Sequence, residues 1–174
     1  DADGNPQGAE SFVIGFTQVY AFADGRLNAN PGITEMRFSD ELWSEDLTEV
    51  PVVPVCPVSE ADRKQGGCAS ESLEDCQGYS ILAVTEPTVA EPDPDGTTPE
   101  GKRFGEVVWV NYFAETGDVE DFTKLISDAE RGYLGGDHDT LWYAPPEPGL
   151  VTLWAVVRDQ RGGQTVARRF VRVE

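Results

Sequence analysis

The chain has 174 residues, 39% of them hydrophobic and 10% aromatic, which suits one domain with an ample core and argues against disorder. A formal net charge of −19 speaks against nucleic acid or anionic lipid as a partner, and no apolar run approaches the length of a membrane span. Eighteen glycines and twelve prolines indicate many turns and favour an all-β architecture over a helical bundle.

In chain order, residues 1–10 read as a tether and 11–174 as a single domain. SFVIGFTQVYAFA (11–23) alternates, with Phe12, Ile14, Phe16, Tyr20 and Phe22 on one parity, and predicts a strand with one buried face. ITEMRF is a second strand, after the turn residues of DGRLNANPG. TEVPVVPVC is β-like but carries Pro51 and Pro54, so it belongs at an edge or a bulge. YSILAVT (79–85) and EVVWVNYFAE (106–115) are clear strands, whereas the stretch between them is too rich in Pro, Asp and Gly for regular structure. Residues 116–139 are mixed and contain a short helical turn on this reading. TLWYAPPEPG is a short strand running into a turn, and LVTLWAVVRD and QTVARRFVRV form a terminal hairpin around QRGG. About eight strands with turn signals between them predict a β-sandwich.

Three cysteines, Cys56, Cys68 and Cys76, fall in one polar loop and suggest a disulfide formed in an oxidising compartment. Cys56–Cys76 is the preferred pair, because these two sit at the mouths of the flanking strands; Cys68–Cys76 is the alternative. A zinc site of three Cys with the single histidine, His138, is the competing arrangement, but the spacings match no short metal knuckle. The chain begins at Asp1 without a Met, which reads as a processed or trimmed product.

The segment DTLWYAPPEPGLVTLWAVVRDQRGGQTVARRFVRV resembles the last third of PKD-like and other bacterial immunoglobulin-like domains, with VVWVNYFAETGD and LNANPGITEMRF fitting further upstream. In that combination the chain is similar to surface lipoproteins of myxobacteria and their relatives. The resemblance implies an immunoglobulin-like β-sandwich, an extracytoplasmic setting (periplasm, outer-membrane surface or secreted) and a lipid anchor upstream of Asp1. It specifies fold rather than function. Two long decorated loops, 56–78 and 86–105, depart from the usual pattern and are where a particular function would be added. Asp159 is suited to cap the RDQRGG turn, with Gly162 and Gly163 supplying positive φ.

Alternation assigns faces to the terminal sheet. Val151, Leu153, Ala155 and Val157 should face the core, as should Val108, Val110 and Tyr112, and Ala167, Val171 and Val173. Arg169 shares that parity and therefore needs a carboxylate partner. The opposite parities place Trp109, Asn111 and Phe113, Thr152, Trp154 and Val156, and Val166, Arg168, Phe170 and Arg172 on the outer face. An immunoglobulin-like topology sets these three strands side by side. The candidate binding residues are thus Trp109, Phe113, Trp154, Arg168, Phe170 and Arg172: aromatics for contact area, arginines for directed hydrogen bonds. The competing reading has a long acidic loop folding across this face, its carboxylates meeting the arginines.

Charge is lopsided: residues 1–157 carry 30 acids and 8 basic residues, and 158–174 carry 5 Arg and 2 acids. An acidic solvated surface is the simpler reading of the first part. No nucleophile motif, P-loop or zinc-protease pattern occurs, so catalysis is not expected. His138, in GDHD, reads as part of an exposed turn, with metal binding the lesser alternative. Paired acids such as Asp118, Glu120 and Asp121 are expected by chance among 32 carboxylates. DADGN and EPDPDG resemble fragments of calcium loops but lack the full pattern. No cofactor is expected, calcium being the one ion these loops leave open.

The sequence therefore predicts an extracytoplasmic, non-catalytic domain making protein–protein contacts in an envelope assembly. A carbohydrate-binding module using Trp109, Trp154 and Phe113 as stacking platforms is the runner-up. A hydrolase built on loop carboxylates comes third.

Overall fold

The computed structural model describes residues 27–58, 62 and 76–174. The tether, the predicted strand 11–23, Cys68 and DADGN lie outside the described residues. Thirteen strands occur among the described residues, several of only two residues: β1 (Glu35–Phe38), β2 (Glu41–Leu42), β3 (Val52–Val53), β4 (Gly78–Val84), β5 (Pro92–Thr97), β6 (Arg103–Gly105), β7 (Val108–Ala114), β8 (Asp118–Val119), β9 (Thr123–Asp128), β10 (Gly132–Tyr133), β11 (Thr140–Tyr143), β12 (Gly149–Asp159) and β13 (Gln164–Val173). One sheet runs β2-β1-β4-β11-β8 and the other β10-β9-β7-β12-β13-β3, with β5 and β6 forming a separate ribbon. The protein is an all-β sandwich.

The period-2 pattern is what closes it. Met36 and Phe38 on β1, Tyr79, Ile81 and Ala83 on β4, and Trp142 on β11 form one inner face. Val108, Val110 and Tyr112 on β7, Ile126 on β9, Val151, Leu153, Ala155 and Val157 on β12, and Val171 and Val173 on β13 form the other. Each buried Val or Leu contributes about 1.5–3 kcal/mol relative to exposure. Phe38 anchors the aromatic part of this core, with ring centroids 5.1 Å from Trp43 and 5.3 Å from Tyr79.

Among the described residues β3 stands at the edge of its sheet, where its prolines place it: Val52 and Val53 pair in parallel with Arg172 and Val173. Pro51 needs only its carbonyl there, which accepts from Arg172 N–H at 2.9 Å. Cys56 and Cys76 are joined in a disulfide between the end of β3 and the start of β4, their Cα atoms 5.3 Å apart.

Two stretches are more regular than their composition suggests. Within 86–105, Pro87–Val89 makes a 3-10 turn, and β5 and β6 pair as a ribbon closed by Thr98 N–H to Lys102 O at 2.7 Å. A two-stranded ribbon leaves each strand with an unpaired side, so Pro92 costs no ladder bond. In 116–139 there is no helical turn: β8 pairs with β11, β9 with β7, and β10 with β9. Strands already in place offer these backbones partners that a short isolated helix lacks. Gly117 permits the approach of β8, since a Cβ there would run into the Tyr143 carbonyl.

Candidate binding face

The order β7-β12-β13 sets the three predicted strands side by side, and their register builds the outer face row by row. Phe113, Trp154 and Arg168 lie across from one another in the central row. Next along, Thr152 faces Phe170 and Leu150 faces Arg172. The Arg168 guanidinium lies 5.2 Å over the Phe170 ring, a cation–π contact worth about 0.5–1 kcal/mol at an exposed site. Phe113 is 44% exposed and Val166 56%, so apolar surface remains open to solvent.

Trp109 does not join this group. It faces Arg158 on β12 and Leu125 on β9, about 13 Å along the strand from Phe113. Between the two ends lie Asn111 and Val156, which the alternation places on the exposed side but which are 9% and 8% exposed. Their burial follows from position. They face each other in the middle of the sheet, with large same-face neighbours Trp109, Phe113 and Trp154 around them. Asn111 keeps its amide satisfied by donating to Thr123 Oγ1 at 2.6 Å. Arg158 shares the parity of Trp154, and that parity is the signal that adds it to the face.

Trp154 and Trp109 are half-buried rather than lying open and flat. The other two tryptophans, Trp43 and Trp142, belong to the core. The loop 86–105 does not cross the face. Its hydrogen bonds and ion pairs include those to Ala29, Glu106, Ala129, Glu130 and Arg161, beside the β9–β10 and β12–β13 turns. Arg168 and Arg172 form no ion pair with any described residue, whereas Arg169 points inward. It donates to the Trp43 carbonyl and to the Glu45 carboxylate, each at 2.8 Å.

The arginine that the loop does meet is Arg161. Its Nη1 lies 3.4 Å from Glu91 and its Nε 3.4 Å from Glu106. Glu106 is 1% exposed, and burial, reinforced by the nearby Asp159 carboxylate, pushes its pKa up to about 7 against the pull of Arg161. Asp159 caps the turn as predicted, its Oδ1 accepting from Arg161 N–H at 2.8 Å and Gly163 N–H at 2.7 Å. Gly162 has φ +95°, but Gly163 is required for space rather than for positive φ: a Cβ there would collide with the Asp159 carboxylate.

His138 is not in an exposed turn. It is 1% exposed, with Nε2 2.8 Å from the Ala83 carbonyl and Nδ1 3.1 Å from the Gly135 carbonyl. Both ring nitrogens face acceptors, which makes it a cross-link between backbone segments rather than a metal ligand. Among the described residues no group of three or more His, Cys, Asp or Glu side chains is spaced to hold a metal ion. No helix among them is long and apolar enough to cross a membrane.

No family model, curated protein or solved structure matches this chain. The geometry alone must therefore carry the functional reading. Among the described residues it offers exposed apolar area and two guanidinium groups, those of Arg168 and Arg172, that form no ion pair.

Proposed function

We propose that the chain is an extracytoplasmic, non-catalytic binding domain that meets a protein partner through the outer face of β7, β12 and β13. One observation carries this reading. Arg168 and Arg172 stand on an aromatic face of an acidic protein without a carboxylate from the described residues. Aromatics beside arginine are the side chains that dominate binding energy at protein interfaces. The partner's complementary surface is acidic, and binding weakens with salt because the guanidinium groups are solvated.

The half-burial of Trp109 and Trp154 favours a protein over a glycan, which stacks on open ring faces. The Cys56–Cys76 disulfide supports an oxidising compartment, and hence a place in the cell envelope or outside the cell. The adjacency of β7, β12 and β13 supports the immunoglobulin-like reading, and a surface lipoprotein is the setting proposed with it.

A pull-down from envelope extract tests the proposal. Wild type should retain a discrete partner that both Trp154→Ala and Arg168→Ala lose while their melting temperatures stay close to wild type. A capture profile unchanged by both substitutions would overturn it.

A further inference from the structure

A second surface, on another part of the molecule, has the chemistry of a ligand site. The β5–β6 ribbon is fastened to the β9–β10 turn by Gly105 N–H to Ala129 O and by Lys102 Nζ to Glu130 O, both at 2.7 Å. Between the ribbon and the turn lies a cleft of about 500 Å³, within the range of small-molecule sites. Phe104, Tyr133, Pro87 and Pro92 line it with rings. Lys102, Arg103 and Arg131 line it with positive charge, against one lining carboxylate, Glu130.

That composition runs against the rest of the protein. Residues 1–157 hold only 8 basic residues, and three of them meet here. The long-range field of the acids is largely screened beyond about 10 Å at physiological salt, so the local cations govern what the cleft attracts. They are also available. The Arg103 guanidinium makes no hydrogen bond or ion pair with a described residue, and Lys102 spends its charge on a neutral carbonyl. Arg131 reaches Asp128 only at 3.6 Å, with most of its side chain in solvent.

The walls are held firmly enough to be a site. Asp128 Oδ1 accepts from Glu130 N–H at 3.0 Å and Arg131 N–H at 2.9 Å, and Gly132 takes φ +80° to close the turn. Tyr133 is positioned by its hydroxyl, which donates to the Thr85 carbonyl at 2.9 Å.

We propose that this cleft binds a carboxylated saccharide unit, of the size and charge of a single uronic acid. Its carboxylate would meet Arg103 and Arg131, the pair suited to fork-like recognition, with Lys102 adding charge. Its ring would lie against Phe104 and Tyr133, which offer apolar faces to sugar C–H groups. The site is separate from the face of β7, β12 and β13, and neither depends on the other.

The test is a titration of isotope-labelled protein followed by amide NMR, with galacturonate, galactose and benzoate as probes. Galacturonate should shift the amides of residues 103–105 and 131–133, leave those around Trp154 unmoved, and bind about tenfold or more tightly than the other two. The double variant Arg103→Glu, Arg131→Glu should keep its melting temperature and lose the response. No shift at millimolar galacturonate would overturn the proposal. So would an equal response to benzoate, which would mean that any small anion suffices, or a response retained in the double variant.

Discussion

The Tyr112 hydroxyl, carried by one sheet, donates to the His138 carbonyl at 2.9 Å and accepts from the Ala83 amide of the other sheet at 3.0 Å. The His138 ring then returns to the Ala83 carbonyl. Three buried residues thus tie β7, β4 and the lead-in to β11 into one node. Burial holds the phenol far above its ordinary pKa, so the neutral hydroxyl is the form that bridges. Tyr112→Phe keeps the ring and strands the Ala83 amide and the His138 carbonyl. We expect a loss of about 2–3 kcal/mol in denaturant unfolding. A loss under about 0.5 kcal/mol would mean the node does not hold the sheets together.

Glu106 should make stability depend on pH in the direction opposite to a salt-bridged carboxylate. Its folded pKa of about 7 lies above the ordinary value of 4.5, so the folded state binds the proton more readily than the unfolded state. Its contribution is a penalty, fully present well above pH 7 and relieved as pH falls toward 4.5. The size is roughly 3 kcal/mol. Glu106→Gln should therefore melt higher than wild type in alkaline buffer, with the gap closing as pH drops. A gap independent of pH would contradict this.

The Cys56–Cys76 disulfide closes a loop with a sequence separation of 20. Loop-closure entropy puts its contribution at about 3 kcal/mol. Replacing both cysteines by alanine should lower the unfolding free energy by that order without changing the circular dichroism of the folded sheets. Reductant should destabilise wild type and leave the double variant unaffected.

Arg169 and Glu45 should respond unequally to truncation, although they form an ion pair at 2.8 Å. Glu45 is 80% exposed at its side chain, and its removal should cost less than about 1 kcal/mol. Arg169→Ala should cost about 2–3 kcal/mol, because it also strips the Trp43 carbonyl of its donor and removes packing from the edge of β13. Equal losses would show that the ion pair, not the bond to Trp43, governs this corner.

Several of these features are legible in the amino-acid sequence. The alternation of Val151, Leu153, Ala155 and Val157 predicts their inward face, and the apolar parity of β13 predicts that Arg169 needs a carboxylate. The prolines around Val52 and Val53 place them at an edge, and the positions of Cys56 and Cys76 nominate the disulfide. The candidate face is legible as three adjacent rows of parity. Its division is not: Trp109 stands apart because Asn111 and Val156 are covered by neighbours drawn from two strands.

The long strands β4, β7, β12 and β13, and the side of each that turns inward, are local properties of the chain, because a two-residue period is complete within a single segment. The partners are not local. Glu91 meets Arg161 across 70 residues, His138 meets Ala83 across 55, and the Pro-rich segment is fastened as a ribbon to a turn at Ala129 and Glu130. Such pairings depend on which backbones and charges three-dimensional packing brings within hydrogen-bond reach. No local pattern carries that information: the segment 86–105, one of two long loops that could have lain across the aromatic face, closes a basic cleft elsewhere.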